Sequence, residues 1–262
     1  MPQIQNKLLL TAATLSALVL SSPAVAGPPF ITDDPEPVDY QHAEINFFSQ
    51  ATATRSGTSG IMPGIDANYG LAPDWQIHMT AQMAYNETDG RHELFGEHHS
   101  TPYGLGDTEL GVKYRFLHED EDGWLPQIAI YPLVELPTGN AHQNLGAGYM
   151  QEFIPLWAEK NFGKWTTYGG GGYWINPGTG NQNYWFTGWV LQRKITDDLT
   201  LGGEVFHQTA NKIGGFDTTG FNVGGTYDFT DNYHLLFSAG QGLQNANSTN
   251  QLSYYLALQW TF

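Results

Sequence analysis

The stretch Asn250 to Phe262, NQLSYYLALQWTF, decides how this chain is read. Every second residue gives Tyr254, Leu256, Leu258, Trp260 and Phe262 on one face; Ser253, Tyr255, Ala257, Gln259 and Thr261 fall on the other. Side chains of a strand alternate between the two faces of its sheet, so this is a strand with one apolar face. That face must meet either a protein core or lipid.

A final strand that ends on an aromatic residue resembles the closing strand of bacterial outer-membrane β-barrels. The resemblance implies that Phe262 belongs to the signal read by the barrel-assembly machinery. Composition points the same way. Charged residues make up 14% of the chain, against about 25% in soluble domains. Aromatic residues are also 14%, and there are 31 glycines. Mean hydropathy is nevertheless −0.35. A chain that is polar overall but poor in charge suits a transmembrane barrel, whose polar inner face averages against an apolar outer one. With no cysteine, disulfides and thiol chemistry are excluded. The formal net charge of −16 argues against a nucleic-acid partner. Such acidity fits a cation-preferring pore, and it equally fits ordinary surface solubility.

Residues 1–26 read as a secretory signal peptide, with Lys7 as the basic start, Leu8 to Leu20 as the apolar run and Ala24-Val25-Ala26 as the cleavage site. A membrane anchor would need about 20 apolar residues. Residues 27–42, GPPFITDDPEPVDYQH, hold four of the 14 prolines, a density that excludes helix and central strand. This N-terminal arm is expected either to be a flexible leader or to tuck into a barrel mouth as a plug.

Residues 43–262 are expected to form the barrel. Twelve strand-like runs, about 9–11 residues or slightly more, suit tilted membrane crossing. They cover roughly 43–51, 60–70, 75–85, 106–117, 125–136, 147–158, 164–175, 184–193, 199–208, 218–228, 233–241 and 251–262. In the third, Trp75, Ile77, Met79, Ala81, Met83 and Tyr85 alternate with Gln76, His78, Thr80, Gln82 and Ala84, and aromatics bracket the apolar face as interfacial girdles do. The runs are joined alternately by short turns and mostly longer loops. This is the asymmetry of barrels with tight periplasmic turns, and it puts both chain ends on the periplasmic side. Three turns, Leu71-Ala-Pro-Asp-Trp75, Ile195-Thr-Asp-Asp-Leu199 and Phe229-Thr-Asp-Asn-Tyr233, repeat one pattern of turn formers before a large apolar residue. The expected fold is thus all-β, a transmembrane antiparallel up-and-down barrel of about twelve strands. A soluble sandwich would alternate equally well, and only the signal peptide, run length and terminus choose against it.

With the polar face of each strand assigned to the lumen, Glu44, Asp66, Asp107, Glu109, Glu135, Glu152, Glu204 and Asp228 point inward. Lys113 and Arg115 are the bases expected to pair with some of them, because unpaired charge in a constricted space is costly. The sequences Gly106-Asp-Thr-Glu-Leu-Gly-Val-Lys-Tyr-Arg-Phe116 and Glu135-Leu-Pro-Thr-Gly139 resemble a family of outer-membrane transporter-like proteins named for the meta-cleavage pathway of phenol degradation. The resemblance covers most of the chain after the signal peptide and implies an outer-membrane channel passing small solutes, aromatic or hydrophobic ones among them, in a Gram-negative bacterium. The chain departs from the family in its Pro-rich arm and in the loop 86–105, which carries His92, Glu93, Glu97, His98 and His99. That cluster fits no compact zinc spacing, and no metal or cofactor is implied. The run Gly169 to Gly172 lacks the strand-to-helix setting of a phosphate cradle and suits a bend, or bare backbone beside Trp157, Trp174 or Trp185. Some barrels are hydrolases, and His207, Asn211, His234 and Ser238 supply the residue types, but their spacing forms no triad, so no catalytic residue is expected. A sealed structural barrel is the other alternative. The expected partners are outer-membrane lipid, small solutes and the assembly machinery.

Overall fold

A computed structural model describes residues 29–88, 101–120 and 123–262. The stretch 1–26, expected to be a signal peptide, and the cluster His92, Glu93, Glu97, His98 and His99 lie outside them. The described residues form a closed antiparallel barrel of twelve strands. The strands are β1 (Ala43–Thr54), β2 (Gly57–Ala72), β3 (Trp75–Thr88), β4 (Tyr103–Leu105 with Thr108–Leu117), β5 (Gln127–Ile130 with Leu133–Leu136) and β6 (Gln151–Phe162). They continue as β7 (Trp165–Ile175), β8 (Tyr184–Lys194), β9 (Leu199–Gln208), β10 (Thr218–Asp228), β11 (Tyr233–Gln244) and β12 (Leu252–Thr261). β4 is broken at Gly106-Asp107 and β5 at Tyr131-Pro132, where proline has no amide hydrogen to give the ladder.

The last strand closes the barrel on the first. Glu44 pairs with Thr261 and Ala53 with Leu252 along one continuous register. At its end Ala43 and Phe262 exchange both backbone hydrogen bonds, at 2.8 and 3.0 Å. A closed ladder leaves no unpaired edge in hydrocarbon, which is the condition for strands to cross a membrane.

The sign of the alternation is now fixed. Tyr254, Leu256, Leu258, Trp260 and Phe262 are all exposed, while Ala257 and Gln259 are buried. In β3 the same holds for exposed Trp75, Ile77 and Met79 against buried Gln76. The apolar face is therefore on the outside, where lipid covers it. Aromatic pairs mark its periplasmic border, with Trp75 stacked on Tyr114 at 4.1 Å and Trp260 packed on Phe262 at 4.3 Å.

The short turns on the periplasmic side stay tight, down to residues 73–74 between β2 and β3 and 163–164 between β6 and β7. The first outer connection differs from expectation. The spacing of the first two runs leaves residues 52–59 to a loop, yet β1 and β2 keep pairing through Ala53 with Thr58 and Thr54 with Gly57, leaving only Arg55 and Ser56 to turn. Polar Thr and Ser residues continue a ladder above the lipid as readily as Val does within it, and hydropathy alone does not show this. The four glycines make no bend either. They lie within β7, where a Cβ on Gly170 would stand 2.0 Å from the Leu156 carbonyl oxygen and 3.0 Å from the Trp157 ring.

Candidate functional site

The arm runs inside the barrel. Phe30 packs with Tyr168 and Val190 in a buried cluster on the inner wall, and Thr32 is fully buried. Extended, proline-rich backbone cannot satisfy its own amides, so the wall does it. Glu204, fully buried on β9, accepts from the Thr32 amide and hydroxyl, both at 2.6 Å, from the Ile31 amide at 3.2 Å and from Asn222 Nδ2 at 2.7 Å. The Ser238 hydroxyl donates to the Pro29 carbonyl, and the Val38 amide donates to Gln76 Oε1. Near the periplasmic end Tyr40 bridges to Gly70, and the Gln41 amide donates to the Gly70 carbonyl at 2.8 Å. Gly188 makes room for the arm, since a Cβ there would come 1.7 Å from Thr32 Oγ1.

The arm also supplies the counter-charges. Lys113, buried on β4, meets Asp33 at 3.1 Å and Asp34 at 3.6 Å and stands 5.0 Å from the Tyr131 ring centre. Arg115 donates twice to Asp74 of the β2–β3 turn, once to Gln127, and lies 3.9 Å from Glu36. The two bases thus pair with the arm and a turn rather than with the acids assigned to the wall. Glu36 is the arm's perturbed group: burial, with Asp34 beside it, pushes its carboxyl up to about 7 in spite of Arg115.

The acids assigned to the lumen divide into several settings. Asp66, Asp107, Glu109 and Glu135 line a cavity of about 880 Å³. Asp66 and Glu109 flank His78, each at 3.0 Å. Asp107 accepts the amides of Gly139 and Ala147 and so holds the β5–β6 loop over the break in β4. Glu44 receives Gln259 Nε2 at 3.3 Å, and Asp228 sits at the periplasmic end paired with His234 at 2.7 Å. Glu152 is a correction. It shares its face with exposed Ile154 and Leu156 and pairs with Val134 and Ile175, so it lies on the outer surface rather than in the lumen.

The strand that carries Glu152 also carries the part of the site that polarity does not reveal. β6 is apolar on both faces, and its buried face carries Phe153 and Trp157. Together with Tyr131, Leu133, Phe186 and Phe206 these form a buried cluster against which Trp174 packs. Phe153 stacks on Trp174 at 4.7 Å and Trp174 on Tyr184 at 5.7 Å. A strand apolar on both faces in an otherwise alternating chain is the available signal, for one face meets lipid and the other lines the cavity. The cavity is therefore two-sided, with carboxylates and carboxamides of β2–β5 on one stretch of wall and rings of β5–β8 on the next; Phe48, Tyr85, Tyr254 and Tyr255, and Pro29, Phe30, Ile31 and Asp33 of the arm, also line it. The candidate hydrolytic groups are engaged elsewhere. Ser238 holds the arm, His234 contacts Asp228 and Thr261, and His207 contacts Thr219.

A family model described as "Putative MetA-pathway of phenol degradation" matches residues 91–260. The chain belongs to that family. This phenol-degradation family member shares its fold with an outer membrane channel from Pseudomonas putida F1, at a TM-score of 0.70 and 17% identity, over 87% of this chain and 98% of that one. The translocator domain of the autotransporter NalP from Neisseria meningitidis is a more distant likeness, at a TM-score of 0.43 and 10% identity over 84% and 87% of the two chains. No curated protein matches the sequence significantly.

Proposed function

We propose that this barrel is a bacterial outer-membrane diffusion channel for small solutes, aromatic or hydrophobic compounds among them, and that it is not an enzyme. The observation that carries this reading is the two-sided lumen cavity of about 880 Å³, large enough for a single-ring solute and walled on one side by stacked rings. Pockets of roughly 300–1,000 Å³ with apolar linings and a few polar groups are the usual form of small-molecule sites. Its family and its fold likeness to a channel support the reading. Residues 29–42 act as a plug in this scheme, and 43–262 as the channel. The exposed C-terminal strand ending at Phe262 is the contact for the assembly machinery.

The experiment is single-channel recording in a planar bilayer under a salt gradient. Discrete openings that prefer cations are expected, because inward acids outnumber free inward bases. A folded, inserted barrel that never conducts would refute the diffusion channel.

A further inference from the structure

Pairing off the charged groups around the cavity leaves one carboxylate over. Asp107 is held by loop amides, Asp66 and Glu109 flank His78, and Lys113 is held by the arm. Glu135 lines the same cavity and has no hydrogen-bond or ion-pair partner among the described residues. Leu133 pairs with Phe153 and Glu135 with Gln151, so Glu135 stands diagonally across from Phe153, the first ring of the Phe153, Trp174 and Tyr184 stack. Lys212, a base among the cavity-lining residues, is exposed at the rim.

An unpartnered carboxylate beside ring faces is a site with a definite sign. The face of an aromatic ring is its negative pole, so both features attract a positive charge and repel a negative one.

We propose that the cavity binds organic cations that carry an aromatic ring, with the ring against the Phe153, Trp174 and Tyr184 stack and the positive head at Glu135. This names a substrate class for the proposed channel and rests on that reading for its route through the membrane.

The test is calorimetric titration of the protein extracted from membranes in detergent, using three probes: benzyltrimethylammonium, tetramethylammonium and phenylmethanesulfonate. Benzyltrimethylammonium is expected to bind about tenfold more tightly than tetramethylammonium, the size of one aromatic pair, and at least about tenfold more tightly than phenylmethanesulfonate, which brings the wrong charge to Glu135. Glu135→Gln should remove about tenfold of that affinity. Should that variant fail to fold, the wild type supplies the check, because raising salt from about 0.1 M to about 1 M must weaken benzyltrimethylammonium binding by screening Glu135. Equal affinity for the three probes, or cation binding indifferent to both Glu135 and salt, overturns the inference. A silent bilayer with cation binding intact refutes the channel alone, and a conducting barrel without cation preference in binding refutes this inference alone.

Discussion

Replacing Glu204 by alanine should release the front of the arm. Residues 31 and 32 give Glu204 three hydrogen bonds of 2.6–3.2 Å, and the carboxylate has no base beside it among the described residues. Hydrogen bonds to a charged group contribute about 1.5–3 kcal/mol each, but the freed amides regain water in the lumen and the three share one carboxylate. A net loss of about 3–4 kcal/mol for the docking of residues 29–33 is therefore expected, which shifts the docked-to-free ratio by roughly 150- to 1,000-fold. The rear of the arm stays tethered at Gly70 and Gln76, so the segment swings rather than leaves. Single-channel recording would show longer or larger openings in Glu204→Ala than in wild type, approaching those of a chain lacking residues 29–36. Should deletion raise conductance while Glu204→Ala matches wild type, the clamp at Glu204 does not hold the arm and the reasoning fails.

Gly188→Val should act in the same direction from the opposite partner, since even a Cβ at this position intrudes on Thr32; recording the variant beside Glu204→Ala checks it, and an unchanged current refutes the close fit. Glu36 makes docking pH-dependent: its carboxyl is raised in the docked arm, so the proton-linked stabilisation is complete below the ordinary value of 4.5 and is lost as pH climbs through about 7. Conductance should accordingly rise between pH 5 and pH 8 by roughly this linkage, and Glu36→Gln should flatten the profile at its low-pH level. Trp157→Ala removes the most buried large ring of the inner cluster and should cost about 3–5 kcal/mol, seen as a lower temperature of the folded-to-unfolded band shift on unheated gels. Glu135→Lys combined with Glu109→Lys should turn ion selectivity in a salt gradient towards anions, and a conducting pore whose selectivity stays put would remove both residues from the ion path.

The outer surface was legible from the sequence because lipid imposes a simple rule on it. Tyr254 to Phe262 and Trp75 to Met79 alternate cleanly, and the repeated Thr-Asp turns mark where hairpins reverse. The lumen was less legible, for two physical reasons. Alternation identifies which residues share a face and not what that face meets, so Phe153 and Trp157 could not be told from lipid-facing residues, and Glu152 was drawn inward by its charge. The arm's proline content excludes regular structure but carries no information about location. Its docking depends on groups such as Glu204 and Ser238 that are remote in sequence and unremarkable as local motifs. His78 stands on the polar face, and only the three-dimensional approach of Asp66 and Glu109 shows which partners it meets.

The arm's anchors also bear on the order in which this molecule comes together. Thr32 and Glu204 are 172 residues apart, and Pro29 and Ser238 are 209 apart. Contacts of such separation cannot form until β9 and β11 stand in one wall with β10 between them, and closing loops of that length is slow. The arm is consequently among the last segments to settle. Until it does, Lys113 and Arg115 lack their arm partners, so a newly closed barrel passes through a stage whose interior is less negative than that of the finished one.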